Sequence, residues 1–370
     1  MNLRLLLAVI VLVIVALGGA SLYLRGPDQS PEMETAEGTV GGEVALQGSG
    51  STFIYPQIQA WANKIRGDYP HIIINYNPAG SGAGQAAFLD RTVDFAGSDP
   101  PLSRSQWESL RGEVVQLPVI LGTVAIVYNL PGVSGLKLDG EALALIYKGE
   151  VEYWDDPVIA GQNPGVDLPH ERIIVVHRSD SSGTTHVFTL FLHKAAPDVW
   201  PGELVGKTID WPVDSTGRGI GGNGNQGVTE QVRSNEYSIG YVEYAYALKN
   251  NLNIALIKNR EGVYTAPSVE TAMAAASNAL VSIPSSPLDD WSSALDAIVY
   301  APGRDSYPIT SWSFLLFYTK YEDPAKAEAV RAFIKWIIDK GYDYVVEGYA
   351  PIPEELREIN SKALDAITVG

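Results

Sequence analysis

Short apolar runs recur along the N-terminal half of this chain, each closed by glycine, serine or threonine and followed by apolar side chains at helical spacing. Val44–Leu46 predicts a short strand entering the turn Gln47-Gly48-Ser49-Gly50-Ser51-Thr52, and Ile58, Trp61, Ile65 and Tyr69 share one face of the helix expected next. Ile72–Tyr76 predicts a second strand, Pro78–Gly82 a turn and Ala83–Leu89 a helix; Val93–Gly97 predicts a third strand ending at Ser98-Asp99. Strands alternating with helices imply an α/β layer with parallel strands. Further strand-like runs lie at Val124–Tyr128, Ile173–His177 and Ile239–Val242. Near the end, Asp323-Pro324 opens a helix expected to bury Ala327, Val330, Ile334 and Ile337. There is no internal repeat.

The pattern breaks at the N-terminus. Leu5–Leu24 is an almost unbroken apolar run between Arg4 and Arg25. It fits a signal peptide, with a small-residue site at Gly18-Gly19-Ala20, and also a membrane anchor, since about 20 residues span a bilayer core. Residues 26–43 are rich in Gly, Pro, Glu, Ser and Thr and read as a flexible linker. A tether implies a held end, which tips the reading of residues 1–25 toward an anchor. Either way, residues 44–370 are expected outside the cytoplasm.

Composition adds exclusions. Lysine and arginine total 26 against 43 acids, a net charge of −17. Nucleic acid is therefore not an expected partner, because a phosphate backbone needs a basic surface. A small anion would have to be held by aimed local donors rather than by an attractive global field. With no cysteine, disulfides, thiolate metal sites and a lipid-modified N-terminal cysteine are all excluded.

Three turns join an apolar strand to a helix and are built from Gly, Ser and Thr, the place where open α/β sheets bind ligands and where N–H groups and helix dipoles suit an anion. In Gly48–Phe53, Thr52 offers a hydroxyl and Phe53 a backbone N–H; taken alone it reads as an ordinary capped turn. In Ala79–Gly84, the glycines permit close approach and Ser81 can donate from hydroxyl and N–H; function and plain turn balance. No Lys-Ser/Thr pair follows, so it is not a Walker loop. Arg178–Thr185 is the most informative: Ser182 is an N-cap, Gly183 allows close approach, Thr184 begins a helix, Arg178 brings a charged fork, and Asp180 can hold it. Charge, donors and a helix start converge there.

Other patterns lead elsewhere. Gly222–Gly227 matches GxGxxG, but no convincing apolar strand precedes it. Asp180–Thr184 is similar to the aspartyl-phosphatase pattern DxDGT, with Ser182 in place of the second carboxylate that would act as acid/base. The histidines (71, 170, 177, 186 and 193) show no metal spacing, and His186 and His193 are expected on a helix surface.

Five segments together resemble the phosphate-binding subunit of Pst-type ABC importers over residues 44–370. They are Gly48–Phe53, Gly80–Gly84, Thr92–Ser103, Arg178–Thr184 and Ser238–Ala247, in that family's order and spacing. The resemblance implies a periplasmic-binding-protein-like (type II) α/β fold, with two lobes joined by a two-crossing hinge. Crossings are expected near Val119–Thr123 and Asp305–Pro308, giving lobe 1 as 44–120 plus 306–370 and lobe 2 as 121–305. It implies phosphate ligands Thr52, Phe53 (backbone), Ser81 and Asp99 from lobe 1 and Arg178, Ser182, Gly183 and Thr184 from lobe 2, with Asp180 pairing to Arg178. Asp99 comes from the resemblance alone. Ser181 departs from the family, where glycine is common. The resemblance also implies a monomeric binding protein that is not an enzyme, uses no cofactor or metal, and delivers phosphate to membrane permease subunits driven by a cytoplasmic ATPase. The alternatives are another oxyanion as ligand, or an aspartyl-type phosphatase using Asp180 as nucleophile.

Overall fold

In the computed structural model, which describes residues 42–370, the six predicted strands and three that were not predicted assemble into a mixed nine-stranded sheet. The anchor expectation for Leu5–Leu24, and the linker as far as Gly41, lie outside the described residues. Among the described residues no helix is long and apolar enough to cross a membrane.

The sheet strands are β1 (Val44–Gly50), β2 (Ile72–Asn77), β3 (Phe95–Ser98), β4 (Val114–Asn129), β5 (Ile174–Arg178), β6 (Gly219–Gly222), β7 (Ser238–Glu243), β8 (Asn253–Ile254) and β9 (Thr310–Tyr318). Their order is β2-β1-β3-β9-β4-β7-β5-β6, with β8 also on β4. Parallel strands form two triplets, β2-β1-β3 and β7-β5-β6, all expected from the sequence except β6. Between them lie two strands that pair antiparallel, β4 and β9. The sequence predicts β4 only over Val124–Tyr128 and does not predict β9; both are nearly continuous buried runs, whose direction pattern alone does not give. The first part of β4 pairs with β9, and Val124–Asn129 pairs with β7, so one strand passes from one triplet to the other.

Helices α1 (Tyr55–Ile65), α2 (Ser81–Leu89), α3 (Gly183–Ala195), α4 (Gly224–Ser234), α5 (Tyr244–Lys249) and α6 (Pro324–Asp339) carry the periodic residues. Ile58, Trp61 and Ile65 are buried on α1; the helix stops at Ile65, leaving Tyr69 in the following turn. Asp323 caps α6, whose Ala327, Val330, Ile334 and Ile337 are buried as expected.

Strand β1 runs well past its expected end at Leu46. Gly48, Ser49 and Gly50 stay in register with Phe95, Ala96 and Gly97. A side chain at Gly48 would strike the Phe95 ring at 2.2 Å, so this glycine makes room for core packing and not for a turn. Gly84 on α2 is tighter still: a Cβ there would stand 2.4 Å from the Gly50 Cα and 2.8 Å from the Ser49 carbonyl oxygen. Backbone against backbone cannot yield as a side-chain tip can. Gly84→Ala should therefore cost about 1–3 kcal/mol as an overpacked site. Thermal melting checks this; an unchanged Tm would mean that α2 can shift outward freely.

Candidate anion-binding site

The carboxyl ends of β1, β3, β5 and β6 converge on one buried locus, because parallel strands in each triplet all point their C-termini the same way. From β1, Ser51, Thr52 and Phe53 turn into α1; from β3, Asp99 follows directly; from β5, Arg178 and the loop to Thr184 lead into α3.

Asp99 is the centre of the first group and is 1% exposed. Its Oδ1 accepts from Ser51 Oγ at 2.7 Å and Ser313 Oγ at 2.9 Å, and its Oδ2 accepts from Ser81 Oγ at 3.1 Å. Burial pushes its carboxyl up to about 6, against the lowering pull of the three serines and of Arg178. Ser81 is the first residue of α2, which starts two residues before the expected Ala83. Thr52 is buried, its Oγ1 accepting from Asn225 Nδ2 at 3.0 Å and from the Asn225 N–H at 3.2 Å, which leaves its own proton to donate. The Phe53 N–H donates to Ser51 Oγ at 3.0 Å.

Across the locus, Arg178 is 3% exposed and forks onto Asp180, Nε to Oδ1 at 2.7 Å and Nη2 to Oδ2 at 2.5 Å. Its Nη1 donates to Thr184 Oγ1 at 3.2 Å. Burial raises the Asp180 carboxyl, but the Arg178 hydrogen bonds and charge and the Gly224 N–H more than reverse this, leaving it below the ordinary carboxylate range. Both its oxygens are engaged with the guanidinium, so Asp180 is an orienting group and not a free nucleophile. Ser182 caps α3 by accepting from the Thr185 N–H at 3.1 Å. Gly183 and Thr184 head that helix, where N–H groups have no intrahelical acceptor. A Cβ on Gly183 would lie 2.3 Å from Asp99 Oδ2 and 2.4 Å from Ser81 Oγ, so the two groups face each other at close range. All nine residues named from the sequence thus surround one locus.

Taken together the set holds one guanidinium and two carboxylates, hydroxyls from Thr52, Ser182 and Thr184, and helix N–H groups, while the Ser81 hydroxyl is committed to Asp99. It can grip a small tetrahedral oxyanion by donors on most sides while presenting one acceptor. A cavity of about 840 Å³ between Tyr55, Tyr246, Asn223 and Glu347 reaches Thr52 and Gly224 from outside.

A model of the PBP superfamily domain matches residues 32–340. The chain is 38% identical to the phosphate-binding protein PstS of Methanocaldococcus jannaschii over 338 residues, covering 88% of this chain and 86% of that protein. It is 38% identical to PstS of Pasteurella multocida, covering 84% and 87%. The chain belongs to the PstS phosphate-binding proteins. Among solved structures it superposes on a high-affinity periplasmic phosphate-binding protein bound with phosphate at a TM-score of 0.68 and 22% identity, covering 88% of this chain and 99% of that one. An ancestral soluble variant of the human phosphate binding protein gives 0.68 and 21%, covering 88% and 100%. These two share the fold.

Three features of this PstS chain differ from what its sequence predicts. The Gly222–Gly227 pattern does follow a strand, β6, which its glycines had hidden, and opens α4. That turn supports the site: Gly224 N–H donates to Asp180 Oδ1 at 3.0 Å, and Asn225 holds Thr52 and reaches Thr184 Oγ1 at 3.3 Å. His186 and His193 are half-buried and not on an open helix surface: His193 Nδ1 lies 2.9 Å from the Trp200 carbonyl oxygen, and burial with the nearby Lys207 charge lowers His186 to about 4. The glycines of Gly80–Gly84 serve approach of protein to protein: Gly82 N–H donates to the Ser181 carbonyl at 3.0 Å, and a Cβ on Gly80 would stand 2.6 Å from Asp180 Oδ2. Ser51, Ser313 and Asn225 were missed. Ser51 sits inside a quoted motif and could have been found; Ser313 lies in β9 with no local signal.

Proposed function

We propose that this chain binds inorganic phosphate at the Asp99–Arg178 locus by closing two lobes around it, and hands it as a monomer to the transmembrane subunits of an ABC importer driven by a cytoplasmic ATPase. The lobes are residues 44–120 with 306–370, and 121–305, hinged near Val119–Thr123 and Asp305–Pro308. Thr52, the Phe53 N–H and Ser81 approach from one lobe and Arg178, Ser182, Gly183 and Thr184 from the other, with Asp99 accepting a proton of the ligand. The observation that carries this reading is a buried carboxylate at Asp99 facing a helix N-terminus and an oriented guanidinium, a combination suited to a protonated oxyanion. Closure removes water, so each charge-assisted hydrogen bond contributes roughly 1.5–3 kcal/mol. No cofactor or nucleophile takes part. Calorimetric titration with inorganic phosphate tests the proposal: one saturable site per chain is expected, and no heat of binding at millimolar phosphate would overturn it.

The protein works outside the cytoplasm, held there by Leu5–Leu24 as a membrane helix with residues 26–43 as its tether. An apolar helix is not displaced by salt. The native protein should therefore stay with membranes through a high-salt wash, and recovery of a soluble form beginning at Ser21 would show a cleaved signal peptide instead.

A further inference from the structure

Lys207 lies outside every motif, in the loop after α3, yet it touches both halves of the site. Its backbone carbonyl accepts from the Ser182 N–H at 2.8 Å, bracing the loop that starts α3. Its ammonium donates to Gln85 Oε1 on α2. Gln85 is 1% exposed, and its Nε2 donates to Ser98 Oγ at 2.9 Å and to the Pro100 and Pro101 carbonyls at 3.2 Å each. That is the loop carrying Asp99. One residue therefore ties the Ser182–Thr184 loop to the Asp99 loop through a single amide. Burial holds the Lys207 ammonium below the ordinary lysine range, and its partner is a neutral oxygen, not a carboxylate. A poorly hydrated charge gains much from such a bond. The neighbouring His186, kept neutral by burial and by Lys207, does not compete for the amide oxygen as a cation.

We infer that Lys207 is a positioning residue for closure: its bond to Gln85 latches the two anion-binding loops together, and so sets how long phosphate stays. The inference rests on the two-lobed reading above. Lys207 touches no proposed ligand group with its side chain, so opening the latch should speed release without removing a donor to phosphate. A general electrostatic attraction would instead alter the association rate and its salt dependence.

The test uses the full-length protein with a fluorophore reporting closure, in stopped-flow phosphate binding and release. Lys207→Met keeps the apolar stem and removes the donor. Its dissociation rate is expected to rise about tenfold, as for loss of one charged hydrogen bond at a half-exposed position. Its association rate should stay within about threefold of wild type and its salt dependence unchanged. Lys207→Arg, which can still donate to Gln85, should recover most of the residence time. Spin labels on the two lobes should show more open molecules at saturating phosphate in Lys207→Met. An unchanged dissociation rate in a variant that binds phosphate overturns the latch alone, as does a change confined to association or to Tm. Wild-type protein that fails to bind phosphate overturns the underlying reading instead.

Discussion

Arg178→Ala should lose about 2–5 kcal/mol of phosphate affinity, the usual range for truncating a buried charged partner. Arg178 is the one guanidinium at the locus, and its fork is fixed by Asp180 at 2.7 and 2.5 Å before any ligand arrives. A preset fork loses little freedom when an oxyanion meets it. Its removal also leaves Asp180 facing the anion without its partner, adding repulsion to the lost attraction. Arg178→Lys keeps a charge but not the planar fork, and should fall between wild type and alanine. Calorimetry with phosphate gives the affinities, and a melting curve separates them from unfolding. Near-native affinity in a folded alanine variant would remove Arg178 from the site.

How far the site could be read from sequence depended on where its residues sit in the chain. Arg178, Asp180, Ser182, Gly183 and Thr184 are local: strand end, cap, glycine and helix start fall within seven residues, and local chemistry is what sequence shows best. Thr52 looked like an ordinary turn residue, and Ser81 balanced between turn and function, because their importance comes from what they meet, Asn225 and Asp99, after folding. Asp99 needed the family resemblance. Ser313 needed the fold itself, since β9 reaches the site only through its antiparallel place between β3 and β4. The same limit governs the architecture. Alternation of strands and helices predicted parallel strands, five of which fall in the two triplets, but β6 was hidden by its glycines and β9 was not foreseen. The two long central strands are buried along their length, where a continuous apolar run carries no information on direction. Glycine misled most. At Gly48, Gly50 and Gly84 it was read as turn or ligand approach, whereas it allows a ring and two backbones to pack.

Wild-type protein should bind phosphate and arsenate tightly and show no sulfate binding at millimolar concentration, and Asp99 is the reason. A carboxylate has about four lone-pair positions. Ser51 and Ser313 fill those of Oδ1, and Ser81 takes one on Oδ2. The acceptor position left is on the oxygen that faces Gly183 at the start of α3. Phosphate near neutral pH keeps at least one O–H, its second ionisation falling near pH ~6–7 by analogy with phosphoryl groups. That proton fits the remaining position in a strong charge-assisted bond. Sulfate carries none, so two acceptors would be pressed together in a buried site, a mismatch that can discriminate by about 10⁴-fold. The pH dependence of the ligand-free protein follows from the same residue. Burial raises Asp99 to about 6 from its ordinary 3.8, so the fold favours the protonated form. Its contribution to stability is complete below the unfolded value and is lost as pH rises through about 6. Asp99→Asn removes that titration, so the difference in Tm between variant and wild type, measured after phosphate is scavenged, should move in the variant's favour from pH 5 to pH 7.5. The asparagine amide can donate to sulfate, and the variant's preference for phosphate should shrink accordingly. Competition calorimetry with both anions decides it: sulfate within tenfold of phosphate in the wild-type protein would take Asp99 out of the site.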